Sequence, residues 1–547
     1  MRKASKILVC LFIMVFAVSG CGGAKKGPEG DARSQTKQVV NMNLSAEPET
    51  IDPGRAKGQP DLTVVNAIME GLTRYNLKCE LEPAMAERWE ISDDGRTYKF
   101  FIRKDARWSN GDPVTAYDFE YAWKRVLDPE YASSYAYQLY YIENAYEYND
   151  PDNLEVTSPD MVGVKAIDAS TLEVTLAVPA LHFLGLTAFP TYFPVHKATV
   201  EDNPSWDILA DTYINNGPFK LVRWEPFQKI VCVKNEAYWD REQVNLDELI
   251  FSIVSEESTA LALYERNDFD IVYNIPSQEL ERLKAAPDSG LKIADELAVA
   301  LYIFNITKEP FDDVRVRKAL AAALDRQALA DYVTRGGERP AYAYVPYGLP
   351  DVNPWDDFRK MGGDYFAESI EEARFWLSEA GYPDGKGFPE VELLINESQD
   401  NLRMAQAVQE MWKQNLGIQS VTIRPLEWRM YLGTIFTMEH QIAGAGWGAD
   451  YLDPMAFLDV YVSFGGNNVS GFKNETYDEL IALANSTSDP QVRIGAMHQA
   501  EQILMDEMPI LPLIFYTKPY LMKDHVKNVR VPSFGPQMEF KWAYIDR

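Results

Sequence analysis

The sequence predicts a multi-domain protein of mixed α/β or α+β class, and three observations carry that expectation. The chain has 547 residues, which at ~150 residues per domain is roughly three to four domains. Apolar residues make up 46% and charged residues 25%, with 30 Tyr, 25 Phe and 12 Trp, so most of the chain can bury a core. Apolar spacings of two and of three to four recur along it, so strands and helices are interleaved. No internal repeat, heptad run or second apolar segment of membrane-spanning length appears.

The elements follow in order. Residues 1–20 read as a secretory signal: Arg2, Lys3 and Lys6 precede an apolar run from Ile7 to Val18 that is too short to span a bilayer. The run ends Val18-Ser19-Gly20-Cys21, which resembles the lipobox of bacterial lipoproteins. Cys21 is thus the expected lipidation site and the mature N-terminus; an ordinary secretory signal with an incidental Cys is the alternative. Gly22 to Gln38 contains Gly, Lys and Ser but no large apolar residue, so residues 21–38 are expected to form a flexible tether reaching ~20 to 25 Å. Of four cysteines, Cys10 leaves with the signal and Cys21 is lipidated. Cys79 falls in a polar loop-like stretch and Cys232 in an apolar strand-like one, which favours two unpaired thiols over a bridge.

Alternation at Tyr98, Phe100 and Ile102, and at Leu172, Val174, Leu176 and Val178, predicts half-buried strands. A helix should begin near Asp313 and run through Val316, Leu320 and Ala323 to about Leu329. Another should begin at Asp489-Pro490, a good N-cap and first-turn pair, and run through Val492, Ala496, Ala500, Ile503 and Leu504. Turn clusters at Asp93-Asp94-Gly95, Ser109-Asn110-Gly111-Asp112-Pro113 and Pro383-Asp384-Gly385-Lys386-Gly387 separate such elements.

Charge and motif content narrow the function. Lys plus Arg number 53 against 82 Asp plus Glu, a formal charge of −29; removal of residues 1–20, with three positive and no negative side chains, takes it to −32. So acidic a protein repels phosphate backbones and anionic lipid, which argues against nucleic-acid binding and polybasic membrane docking. None of the patterns G-x-S-x-G, H-E-x-x-H, G-x-x-x-x-G-K-[ST] or D-x-[DN]-x-[DN]-G occurs. The five His (His182, His196, His440, His498 and His525) are widely spaced, so no metal site, cofactor or catalytic residue is expected. Glycoside hydrolysis, which needs only two suitably spaced carboxylates, is the best enzymatic alternative.

Several segments together resemble the extracytoplasmic solute-binding proteins of peptide ABC transporters, specifically the oligopeptide-binding branch. They are Glu47-Pro48-Glu49-Thr50-Ile51-Asp52-Pro53; Glu70-Gly71-Leu72; Ala86-Glu87-Arg88-Trp89 through Gly95; Phe101 through Ala116 with Asp118-Phe119; Asn216-Gly217-Pro218-Phe219; Pro310 through Leu320; and Ala445-Gly446-Trp447-Gly448-Ala449-Asp450-Tyr451. The resemblance covers residues 40–547 in one order. It implies a two-lobed periplasmic-binding-protein-like fold with an extra third domain and the ligand between the lobes. On this chain the discontinuous first domain would comprise 39–70, 195–300 and 516–547, the small second domain 71–194, and the third 301–515.

The same resemblance implies how a ligand is held. A receptor for peptides of many sequences must grip what they share, the backbone and termini, by pairing with an extended chain. Roomy, hydrated pockets then accept the side chains. Asp450 matches the carboxylate that receives the peptide α-ammonium; taken alone, an Asp beside a turn is an N-cap or a solvated loop residue, and Asp453-Pro454 supplies a better cap. Trp428 and Trp447 match aromatics walling the side-chain pockets, and Tyr135 or Tyr137 faces the ligand from the small domain. Gln59 and Gly448 contribute backbone groups, and Gly446 in the same motif as Gly448 is a further expected ligand-binding residue. The sequence departs from the family pattern where basic residues meet the peptide carboxylate: Ile435, Gly444 and Asn401 stand there, and Lys57 replaces an acid near the ligand. Either the C-terminus is met elsewhere, by Lys57 or solvent, or longer peptides protrude, or the ligand is not a free linear peptide. The expected partners are an oligopeptide, ABC permease subunits and a membrane reached through the lipid anchor, with the protein a monomer outside the cytoplasm. A same-fold receptor for a non-peptide solute or signalling peptide is the alternative function.

Overall fold

Two long strands, Leu291–Phe304 and Ile510–Met522, run antiparallel through the centre of an 11-stranded sheet. The computed structural model describes residues 37–546 apart from Leu181, Pro354 and Ser488, so the expected signal, Cys21 and most of the tether lie outside the described residues. Gln38, at the end of the expected tether, is bonded on both sides. Its backbone N–H donates to Asp247 Oδ2 at 2.7 Å, and its side-chain carbonyl accepts from Ile545 N at 2.6 Å.

The sheet continues from one side of the central pair through Ile442–Gly448, Val391–Asn396 and Val421–Leu426. From the other side it continues through Ile271–Tyr273, Val39–Asn43, Glu248–Ser252, Lys229–Lys234 and Phe219–Glu225. Val299–Phe304 is buried at every residue, as an apolar run covered on both faces should be. Between the two halves of the sheet the register of the long strands breaks: Asp295 lies opposite Thr517, but Val299 lies opposite Phe515. Such an irregularity bends and twists a strand pair locally.

A separate antiparallel sheet orders Ala86–Ile91, Thr97–Ile102, Thr171–Thr175 and Val164–Asp168. Tyr98, Phe100 and Ile102 are buried while their neighbours are not, as the alternation predicts. Leu172 and Val174 follow suit, whereas Leu176 only bridges Ile142 and Val178 is exposed. Helix Ala116–Val126 backs this sheet, with buried Trp123 donating from Nε1 to Tyr192 O at 2.8 Å.

The mixed α/β class is as expected, and Cys79, exposed, and Cys232, buried, are free thiols. One helix differs. Asp313 caps Val314–Ala322 as predicted, but the helix stops at Ala323. Asp325 then accepts from Ala328 N at 2.8 Å and starts a new turn. The fully buried Arg326 fixes that break, donating to Ala321 O at 3.0 Å and Pro512 O at 2.9 Å. The helix after Asp489 runs Pro490–Glu507 as predicted, yet Val492 is exposed and the buried face includes Arg493 and Glu501.

Candidate functional site

Strand Ile442–Gly448 pairs along its whole length with the long strand, from Ala298 opposite Gly448 to Phe304 opposite Ile442. On its other side, Val391–Asn396 pairs only with Ile442 and Ala443. Beyond Ala443 that edge has no strand beside it among the described residues. Gly444, Gly446 and Gly448 alternate along it, so one face carries no side chains. A sheet edge of this kind can take an added extended chain, and glycines let its backbone come close.

Two cavities flank the edge, and Gly444, Ala445 and Gly446 line both. One, of about 210 Å³, is walled by Trp428, Tyr431, Ile435, Trp447 and Tyr461. Trp428 opens helix Trp428–Phe436 and is half exposed, its ring stacked on Tyr431 at 5.6 Å. The Tyr431 hydroxyl donates to Gly444 O at 2.8 Å, and Trp447 Nε1 donates to Ala456 O at 2.7 Å. Those bonds fix both rings against the edge. The second cavity, of about 270 Å³, is lined among others by Tyr302, Glu338, Asn396, Asp400, Asn401 and Tyr516. Asn401, in the first turn of helix Gln399–Leu416, donates to Asn396 Oδ1 at 2.6 Å.

Asp450 lies two residues past the end of the edge strand. The Tyr137 hydroxyl donates to its Oδ2 at 2.5 Å, and Tyr135 stacks on Tyr137 at 5.7 Å. Burial pushes the Asp450 carboxyl up to about 6, against the Tyr137 hydrogen bond, which pulls it down. No cation among the described residues pairs with it, so Oδ1 is open to a positively charged donor. Beside it, Tyr451 donates to Asp459 Oδ2 at 3.2 Å, meets the Tyr141 hydroxyl at 3.2 Å and stacks on buried His182 at 4.7 Å. Burial and the charges of Asp450 and Asp453 raise the Asp459 carboxyl to about 7, while burial lowers His182 to about 4. Asp453 accepts from Met455 N at 2.9 Å, although Pro454 and not Asp453 is the N-cap of the short helix Met455–Leu458, and it also holds buried Arg493 through two bonds of 2.8 and 3.0 Å.

The structure therefore gathers Asp450, Tyr135 and Tyr137 at one end of the edge and Trp428, Trp447, Gly446 and Asn401 along it. Gly448 is exposed between the two groups. Gln59 lines neither cavity; its side chain donates to Glu296 Oε1 at 3.3 Å, inside the register break. Lys57 also lines neither and pairs with Glu49 at 3.1 Å on the surface. Ile435 and Gly444 do face the cavities, and neither cavity is lined by Lys, Arg or His among the described residues. Sequence reasoning missed Tyr431, Glu338, Tyr516 and the Tyr141–Tyr451–His182 cluster. For Tyr431 a signal existed, three residues after Trp428 on one helix face; the others depend on long-range contacts.

Comparison with known proteins gives a consistent result. Residues 80–469 match the family model of bacterial extracellular solute-binding proteins, family 5 Middle. The chain is 37% identical over 549 residues to the oligopeptide-binding protein OppA of Bacillus subtilis (strain 168), covering 98% of each. It is 36% identical over 535 residues to the dipeptide-binding protein DppE of the same organism, covering 96% of each. The crystal structure of Haemophilus influenzae OppA in complex with RPPGFSPFR matches with TM-score 0.77 and 30% identity, covering 93% of this chain and 99% of that one.

Proposed function

The chain belongs to the bacterial extracellular solute-binding proteins of family 5, and from that premise we propose that it captures oligopeptides outside the cytoplasm and delivers them to an ABC importer, without chemistry of its own. The observation that carries this reading is the free Gly444–Gly448 edge leading to the unpaired Asp450 carboxylate. A peptide lies extended along that edge, its backbone pairing as an added strand would, and its α-ammonium meets Asp450. Trp428 and Trp447 wall a side-chain pocket, while Tyr135 and Tyr137 close over the N-terminal residue. The lobes, 39–70 with 195–300, 516–547 and the small domain 71–194 on one side and 301–515 on the other, hinge at the register break of the two long strands. Ligand bridging both lobes biases them toward closure. The protein acts as a monomer, tethered to the membrane through acylated Cys21.

Calorimetry on Asp450→Ala tests the anchor. Binding of peptides with free N-termini should weaken by ~3 to 5 kcal/mol, the cost of removing one partner of a buried charge pair, and N-acetylated peptides should bind neither form. Unchanged affinity in the variant would rule out the anchor.

A further inference from the structure

We infer that the cavity of about 270 Å³ takes a lysine or arginine side chain of the bound peptide, with Glu338 as the partner of its cation. This rests on the peptide-binding reading above and specifies which residue the ligand carries. The wall is acidic and has no Lys, Arg or His among its described residues. Its two carboxylates are not equivalent. Asp400 is already ion-paired with Arg403, which also donates to Ser277 Oγ at 3.1 Å. Glu338 accepts only the Thr334 hydroxyl, at 2.8 Å, and forms no ion pair among the described residues.

Two phenols on the same wall, Tyr302 buried and Tyr516 half-buried, point the same way. Tyr302 is 3% exposed and its hydroxyl has no hydrogen-bond partner, although buried polar groups are normally satisfied. Tyr516 is pushed up to about 12, by burial first and then by the carboxylates of Glu296, Glu338 and Asp400. Of these three, Glu296 lies 3.8 Å from Lys518 and Asp400 is paired with Arg403. The charge left unanswered is that of Glu338.

Size and shape select a long cationic side chain. Ile275, Leu280, Val333 and Met404 in the lining offer apolar contact for a methylene stem, and Glu338 a carboxylate for its head. An anionic side chain would face Glu338 directly. A purely apolar one would leave the Glu338 carboxylate without a partner. Entry is along the edge strand, because Gly444 and Gly446 open onto both cavities and an extended ligand projects alternate side chains to opposite sides. A Cβ at Gly444 would lie 3.2 Å from Tyr302 and 3.1 Å from Ile395, so this chain has little room for a basic residue of its own at that position.

The test is calorimetry of the whole protein with free-N-terminus alanine peptides. Each peptide carries one lysine, moved along the sequence, or norleucine in its place. At one position lysine should bind about tenfold tighter than norleucine, the scale of one charge-assisted hydrogen bond. Glu338→Gln should abolish that preference while norleucine peptides still bind, and an unshifted thermal unfolding midpoint reports an intact fold. Glu338→Lys should turn it into a preference for glutamate at the same position. Equal lysine and norleucine affinities throughout, or a lysine preference that survives Glu338→Gln, would overturn the inference while leaving peptide binding in place. No binding by any peptide would instead overturn the peptide-binding reading, and this inference with it.

Discussion

Asp450 holds a carboxyl raised to about 6 by burial, with the Tyr137 hydroxyl as its one neutral hydrogen-bond donor. A raised carboxyl binds a proton in the folded protein that the unfolded chain does not hold, so its contribution to stability falls as pH rises from about 4 through about 6. With Asp450 as the proposed anchor, ligand binding has the opposite sign, since only the ionised carboxylate attracts an α-ammonium. Peptide affinity should therefore drop as pH falls below about 6, and Asp450→Asn should bind weakly with no such pH dependence; titration calorimetry between pH 5 and 8 measures both. The sequence made Asp450 legible because Gly446-Trp447-Gly448-Ala449-Asp450-Tyr451 sits together on the chain. It did not make Tyr137 legible as its donor, because that bond joins residues 313 positions apart. Glu338 was invisible for a related reason: what distinguishes it is the lack of an ion-pairing cation, a property of the folded surroundings.

Elements were legible wherever capping chemistry is local. Asp489-Pro490 starts Pro490–Glu507 as predicted, its carboxylate accepting from Gln491 N at 2.8 Å. The apolar spacing extends the helix from Asp313 too far because Ala323 continues it, and spacing cannot reveal that Asp325 recaps the chain around buried Arg326. The buried face of Pro490–Glu507 departs from the apolar spacing for another reason. Glu501, unexposed, receives Arg359 at 2.6 Å and the backbone N–H groups of Tyr344 and Val345 at 3.0 and 2.8 Å. It ties the helix to a segment some 150 residues earlier. Removing it strands the guanidinium and two N–H groups, so Glu501→Ala should destabilise the protein by ~3 to 5 kcal/mol in denaturant titration. The helix itself should persist by circular dichroism below the transition.

For the whole molecule, the formal charge of −29 and the absence of Lys, Arg and His from the lining of both cavities among the described residues act together. A cationic peptide is drawn in over roughly a Debye length. Its association rate in stopped flow should fall steeply between 20 and 300 mM salt, while that of a neutral peptide should hardly change; equal salt responses would reduce the charge to a solubility feature. The exposed edge has a further consequence. An unpaired strand rim is ordinarily a hazard, a template on which other proteins aggregate. Here the rim is short, free only from Gly444 to Gly448, and Tyr137 reaches across to Asp450 at its end. The opening proposed for the ligand is thus also a narrow one, offering another strand only a few residues to pair with.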